Sequence, residues 1–204
     1  MSDVLKTIGI IGAGKIAQAV TRLLLKAGYQ VSLSNSRSPS SLSGIIEDLG
    51  DGAEAVIRQE AAEKEVVILA LPWSSLPTLT TLTDWKGKLV IDATNHFVTL
   101  TPPLQLADLG GKSSSEVTAQ FVPGAILVKA FNTLYYKLLA QDPIYNRGHR
   151  VLFISGDDCA AKRIVSEIIA SIGFAAIDLG SLKIGGKFHQ AGGLLAGKNL
   201  ILLH

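Results

Sequence analysis

The stretch Thr7-Ile8-Gly9-Ile10-Ile11-Gly12-Ala13-Gly14-Lys15-Ile16-Ala17 constrains this chain more than any other. Ile8, Ile10 and Ile11 make the short apolar run of a strand buried on both faces. The residues after them fit G-x-G-x-x-A, the turn that opens a dinucleotide-binding βαβ unit. Gly12 allows a sharp turn off the strand. Gly14, lacking a Cβ, allows a pyrophosphate to approach the backbone, and Ala17 allows the next helix to pack close to the strand. Unpaired N–H groups at that helix start, aided by the helix dipole, face the phosphates. Ile16, Ala19, Val20, Leu23, Leu24 and Ala27 then give a helical apolar face, closed by Gly28. The spacing predicts a dinucleotide-binding strand, turn and helix.

The end of the next strand, Gln30-Val31-Ser32-Leu33-Ser34, decides which dinucleotide. A site for NAD places Asp or Glu about 20 residues past the glycine turn, to accept from the ribose 2′-hydroxyl. Here the place holds Asn35, Ser36, Arg37 and Ser38, and no acidic residue lies between Asp3 and Glu47. A guanidinium pairs with phosphate through its fork of donors, and hydroxyls add neutral bonds. Asn35, Ser36 and Arg37 therefore predict NADP(H).

Further apolar runs, at Val66 to Leu71, Leu89 to Ile91, Ile126 to Val128 and Val151 to Ile154, alternate with helical or polar stretches. This pattern predicts an α/β fold, Rossmann-like and doubly wound, with a mostly parallel sheet and a small C-terminal extension. We read 1–204 as one domain: about 1–145 form the dinucleotide-binding core, and about 146–204 complete the sheet and the acceptor side. Residues 101–112 read as a long loop. A net charge of +2 gives no warrant for a nucleic-acid or membrane-surface partner. The single cysteine, Cys159, excludes an intrachain disulfide, and residues 1–6 lack a secretory n-region. The expected location is cytoplasmic. No apolar run reaches the roughly 20 residues of a membrane-spanning helix.

In an open α/β sheet, ligands lie beyond the carboxyl ends of the strands. Those ends carry Leu71-Pro72-Trp73, Asp92-Ala93-Thr94-Asn95-His96 and Lys129-Ala130-Phe131-Asn132-Thr133. Asn95 and Asn132 serve either as turn caps or as cofactor contacts. Trp73 either stacks on a ring or covers the sheet edge. Lys129 reads as snorkelling to solvent. His96 is the histidine with a functional case; His149, His189 and His204 read as surface or tail residues. Cys159, at a helix start, reads as structural.

With these turns laid out, the chain resembles the NADP oxidoreductase family typified by the coenzyme F-420-dependent NADP reductases. It also resembles the cytosolic reductase domain of the six-transmembrane epithelial antigen metalloreductases. The likeness rests on residues 8–17, Asn35-Ser36-Arg37, Asp92-Ala93-Thr94-Asn95, Val122-Pro123-Gly124-Ala125 and, most distinctively, Val128-Lys129-Ala130-Phe131-Asn132-Thr133. It extends to Phe153-Ile154-Ser155-Gly156-Asp157-Asp158 and Asp178-Leu179-Gly180-Ser181-Leu182. The resemblance implies that Gly12, Ala13, Gly14, Lys15 and Ile16 cradle the pyrophosphate and that Ser36 and Arg37 take the 2′-phosphate. It also implies that Leu71, Pro72 and Asn132 line the nicotinamide pocket. It implies hydride exchange with a small redox acceptor, FMN, FAD or coenzyme F-420, and a homodimer. His96 departs from the proline usual after this asparagine, and the glycine-rich residues 183–196 match loosely on the acceptor side. Such chemistry belongs to the cofactors and needs no catalytic triad or metal cluster. Two other readings stand beside this one: a non-catalytic NADP(H) sensor, and a hydroxyacid or pyrroline-carboxylate-type reductase. The latter families append a long helical domain, which is not expected for this chain.

Arg37→Glu is expected to weaken NADPH binding roughly 10- to 100-fold, the worth of a charge-assisted contact, and NADH binding far less. Fluorescence titration with both nucleotides measures this, and equal losses would overturn the NADP(H) assignment.

Overall fold

The computed structural model describes residues 7–99 and 101–203. Residues 1–6 and His204, on which two of the expectations above fall, lie outside them. The N-terminal half runs β1 (Thr7–Ile11), α1 (Lys15–Lys26), β2 (Gln30–Ser34), α2 (Ser43–Leu49), β3 (Ala53–Ala55), α3 (Arg58–Ala62) and β4 (Val66–Leu69). A 3-10 segment, Trp73–Leu79, leads to β5 (Leu89–Asp92). The rest runs β6 (Phe97–Thr99), β7 (Gln105–Leu106), α4 (Ser114–Thr118), β8 (Ile126–Lys129), α5 (Tyr136–Leu139), β9 (Ile144–Tyr145) and β10 (Gly148–Gly156). It ends with α6 (Cys159–Ser171), β11 (Ala175–Asp178), α7 (Gly185–His189) and β12 (Ile201–Leu203).

The main sheet has the order β11-β10-β8-β5-β4-β1-β2-β3. Strands β1 to β5 and β8 pair in parallel, so the sheet is Rossmann-like as predicted. β10 runs antiparallel to β8 and parallel to β11, while β9 and β12 add antiparallel to β10. The apolar runs of the sequence are strands buried on both faces. Ile8 and Ile10 face the cluster formed with Val20 and Leu24 of α1, whereas Ile11 faces the opposite cluster with Leu69 and Trp85. On that second face Gly9 admits α3: a Cβ there would stand 1.9 Å from the carbonyl oxygen of Ala61. Asp158 caps α6 by accepting from the Ala161 N–H at 2.7 Å. Among the described residues no helix is long and apolar enough to cross a membrane.

Three expectations are corrected. Residues 101–112 are not all loop, because β7 pairs antiparallel with β6 despite Pro102 and Pro103. Lys129 does not snorkel. It is fully buried, and strand register sets it beside Asp92, so that its Nζ lies 3.4 Å from Asp92 Oδ2 and donates to the Thr94 carbonyl at 3.0 Å. His189 is not a surface residue: it is fully buried, with Nε2 2.9 Å from Ser155 Oγ.

These residues form one polar row, because register also sets Ser155 beside Lys129. Burial would push Asp92 up, but Lys129, the hydroxyls of Ser115 and Thr94, and the Thr94 N–H together hold it below the ordinary carboxylate value. Burial lowers Lys129, opposed by Asp92. Burial, reinforced by Lys129 and opposed by Asp92, pushes His189 down to about 3.

His189 is therefore neutral when folded, while the unfolded chain binds a proton there near pH 6.5. The His189 contribution to stability is expected to be constant above about pH 6.5 and to fall on acidification toward about 3, with a slope approaching 1.4 kcal/mol per pH unit. His96, lowered by burial and by Lys129, acts in the same direction. Urea midpoints measured against pH test this; His189→Gln should remove the larger share of the slope between pH 6 and pH 4.5.

Candidate functional site

The carboxyl ends of β1, β2, β4, β5 and β8 open into one cavity of about 990 Å³. It lies where the chain order reverses, between β1 and β4. Gly12 turns the chain there at φ +120°, and a Cβ on it would sit 2.0 Å from the Ala70 carbonyl oxygen. Packing thus demands glycine at that position. Gly14 differs: its φ is −74° and a Cβ would meet nothing within 4 Å. The space over its backbone belongs to the cavity, which Ala13, Lys15 and Ile16 also line. Gly14 N-caps α1 without a side-chain partner, so the first N–H groups stay available to a ligand.

At one end, Asn35 and Ser36 line both this cavity and an adjoining recess of about 340 Å³. Arg37 lines the recess only, exposed at the β2 turn. Asn35 is a turn former: its Oδ1 accepts from the Arg37 N–H at 2.8 Å and its Nδ2 donates to Ser41 Oγ at 2.9 Å. Arg58, at the start of α3, lines both spaces. No motif along the sequence singles it out; its place three residues past β3 is the available signal.

At the other end, Leu71, Pro72 and Trp73 form one wall, with Phe97, Tyr135 and Tyr136 nearby on the lining. Asn95 and Asn132 also line the cavity and bind each other. Asn95 Nδ2 donates to the Asn132 carbonyl at 2.9 Å, and Asn132 Nδ2 donates to Asn95 Oδ1 at 3.2 Å and to the His189 carbonyl at 2.6 Å. Asn95 Oδ1 accepts also from the Ala191 N–H at 3.1 Å. The pair thereby pins residues 191–197, whose Ala191, Gly192, Ala196 and Gly197 close the cavity. Gly197 adds an N–H bond to the Thr133 carbonyl at 3.0 Å. Asn132 Oδ1 is buried and has no partner, an acceptor suited to an amide N–H. Before it, Phe131 sits fully buried at φ +63°, a left-handed conformation that a bulky residue holds only where packing over-determines it.

His96 does not reach the cavity lining. It is 3% exposed and stands behind Trp73, rings 5.9 Å apart and edge to face. Cys159 is exposed at the start of α6, and among the described residues no cluster could hold a metal ion. The arrangement thus sets a backbone anion cradle and an end lined by Trp73, Phe97, Tyr135 and Tyr136 in one cavity, with a guanidinium recess adjoining it. That is the donor set and shape a phosphorylated dinucleotide needs.

The family model described as NADP oxidoreductase, coenzyme F420-dependent, matches residues 7–96, from β1 to the turn after β5. The metalloreductase STEAP3 of Rattus norvegicus is 31% identical over 178 residues, which cover 86% of this chain and 34% of that protein. The chain thus spans about a third of the length of the curated relatives it matches. A hypothetical protein from Sinorhizobium meliloti is similar throughout: 42% identity, TM-score 0.91, covering 97% of this chain and 96% of the other. A candidate F420-dependent NADP reductase from Arthrobacter sp. FB24 shares the fold at TM-score 0.73 and 24% identity, covering 87% and 85%.

The two glycines of the turn are expected to separate folding from binding. Gly12→Ala should cost about 3 kcal/mol or more in urea denaturation, because backbone must move. Gly14→Ala should change stability by less than about 0.5 kcal/mol yet weaken NADPH binding at least tenfold. Normal NADPH affinity in Gly14→Ala would remove the turn from the site.

Proposed function

We propose that the chain is a member of the NADP oxidoreductase, coenzyme F420-dependent family, whose model matches residues 7–96, and that it transfers a hydride between NADPH and a flavin or deazaflavin acceptor. One observation carries the reading: a single cavity runs from the glycine turn to an end walled by Trp73, Phe97, Tyr135 and Tyr136. Bound there, NADPH supplies the hydride. The chain's own task is to bind, orient and keep water out.

Backbone N–H groups of the Gly12 to Ile16 turn hold the pyrophosphate. Ser36 and Arg37 hold the 2′-phosphate, and Asn35 sets the turn that presents them. Leu71, Pro72 and Asn132 flank the nicotinamide, with the unpartnered Oδ1 of Asn132 accepting from its carboxamide. Trp73 is held edge-on by His96 and gives the acceptor a flat apolar face. The segment pinned through Asn95 and Asn132 closes the far side.

Purified protein given NADPH with FMN, FAD or the deazaflavin in separate assays tests this by loss of nicotinamide absorbance. Turnover on at least one acceptor is expected. Tight NADPH binding without turnover on any of the three would overturn it in favour of a sensor.

A further inference from the structure

We propose that Arg58 is the second half of the 2′-phosphate site, a specificity-determining guanidinium brought to the recess of Arg37 by strand pairing. The proposal rests on the NADP(H) reading above and adds a residue to it. β3 lies parallel to β2, with Ala55 registered beside Leu33. The chain leaving β3 therefore passes the turn of residues 34–37, and Arg58 lines the same recess as Asn35, Ser36 and Arg37.

Its position is held. Arg58 Nη2 donates to Thr78 Oγ1 at 2.7 Å, and that hydroxyl donates to the Ser75 carbonyl at 2.6 Å. The bond uses one of the five donors of the fork. The Nε is buried without a partner, and burial lowers the pKa of the side chain. Among the described residues neither Arg37 nor Arg58 makes an ion pair with a carboxylate. Two guanidiniums line one recess, one of them partly desolvated and short of an acceptor. That arrangement repels itself when empty and is neutralised by a dianion. A phosphate monoester on the adenosine ribose supplies the charge and the acceptor oxygens.

Calorimetric titration of the wild-type chain and Arg58→Gln with adenosine 2′,5′-bisphosphate and with 5′-AMP tests the assignment. The variant should lose roughly 10- to 100-fold in affinity for the bisphosphate and less than about threefold for AMP. Retained AMP binding shows that the variant is folded; Arg58→Lys, which keeps the charge without the fork, should give an intermediate loss and serves if the glutamine variant does not fold. Equal losses for both ligands would place Arg58 on the adenosine and overturn the proposal, as would no loss for either. A wild-type chain with no preference for the bisphosphate would instead overturn the NADP(H) reading. A wild-type preference that survives in both variants would sink the role of Arg58 alone.

Discussion

Where β1 and β4 leave the sheet, their backbones run so close that a Cβ on Gly12 would lie 2.0 Å from the Ala70 carbonyl oxygen. The contact is built from ladder bonds: Ala70 N–H donates to the Ile11 carbonyl and Gly12 N–H to the Ser34 carbonyl, both at 2.9 Å. It draws three strand exits together at the point where the connections diverge to opposite sides of the sheet. The crevice there is a product of that closeness. α1 starts directly over it, the wall of Leu71 to Trp73 rises beside it, and Asn35 and Ser36 bound its end, with Arg37 in the adjoining recess. Gly9 serves the same geometry one turn of the pleat earlier, by letting α3 lie against β1.

The far half of the crevice depends on a different force. A buried Asp92–Lys129 pair is weak evidence for stability, since desolvation offsets much of its attraction. Its effect is positional. Lys129 holds the Thr94 carbonyl, Asp92 accepts from Thr94 N–H and Oγ1, and Ser115 Oγ closes on Asp92 Oδ2 at 2.5 Å. These bonds fix the turns after β5 and β8, which present Asn95 and Asn132. The asparagines in turn carry the segment after α7 through His189 and Ala191. A chain of polar contacts thus ties the interior of the sheet to the wall on the acceptor side, with Asn132 Oδ1 and His189 Nδ1 the buried atoms it leaves unpartnered.

The N-terminal half was legible because its signals are local. A continuous apolar run announces a doubly buried strand, and G-x-G-x-x-A announces the turn after it; both are read within ten or so residues. The C-terminal portion was less so. α7 opens on Gly185 and Gly186, poor helix formers, yet a Cβ on Gly185 would lie 2.4 Å from the Leu179 carbonyl oxygen, so close packing selects what propensity opposes. β12 exists because β10 offers an edge for it. Burial of Lys129 and His189 ran against residue-type expectation for the same reason: each is buried only because its partner is supplied by another strand or helix.

The sequence by itself determined the fold class, the glycine turn and the Asn35-Ser36-Arg37 end of the crevice, since each is encoded by neighbours along the chain. Tertiary structure alone decided which distant residues meet. Arg58 joins Arg37 because β3 lies beside β2, and Lys129 meets Asp92 because β8 lies beside β5. Strand order and register are properties of the whole sheet, set by how its buried faces pack, and no local pattern carries them.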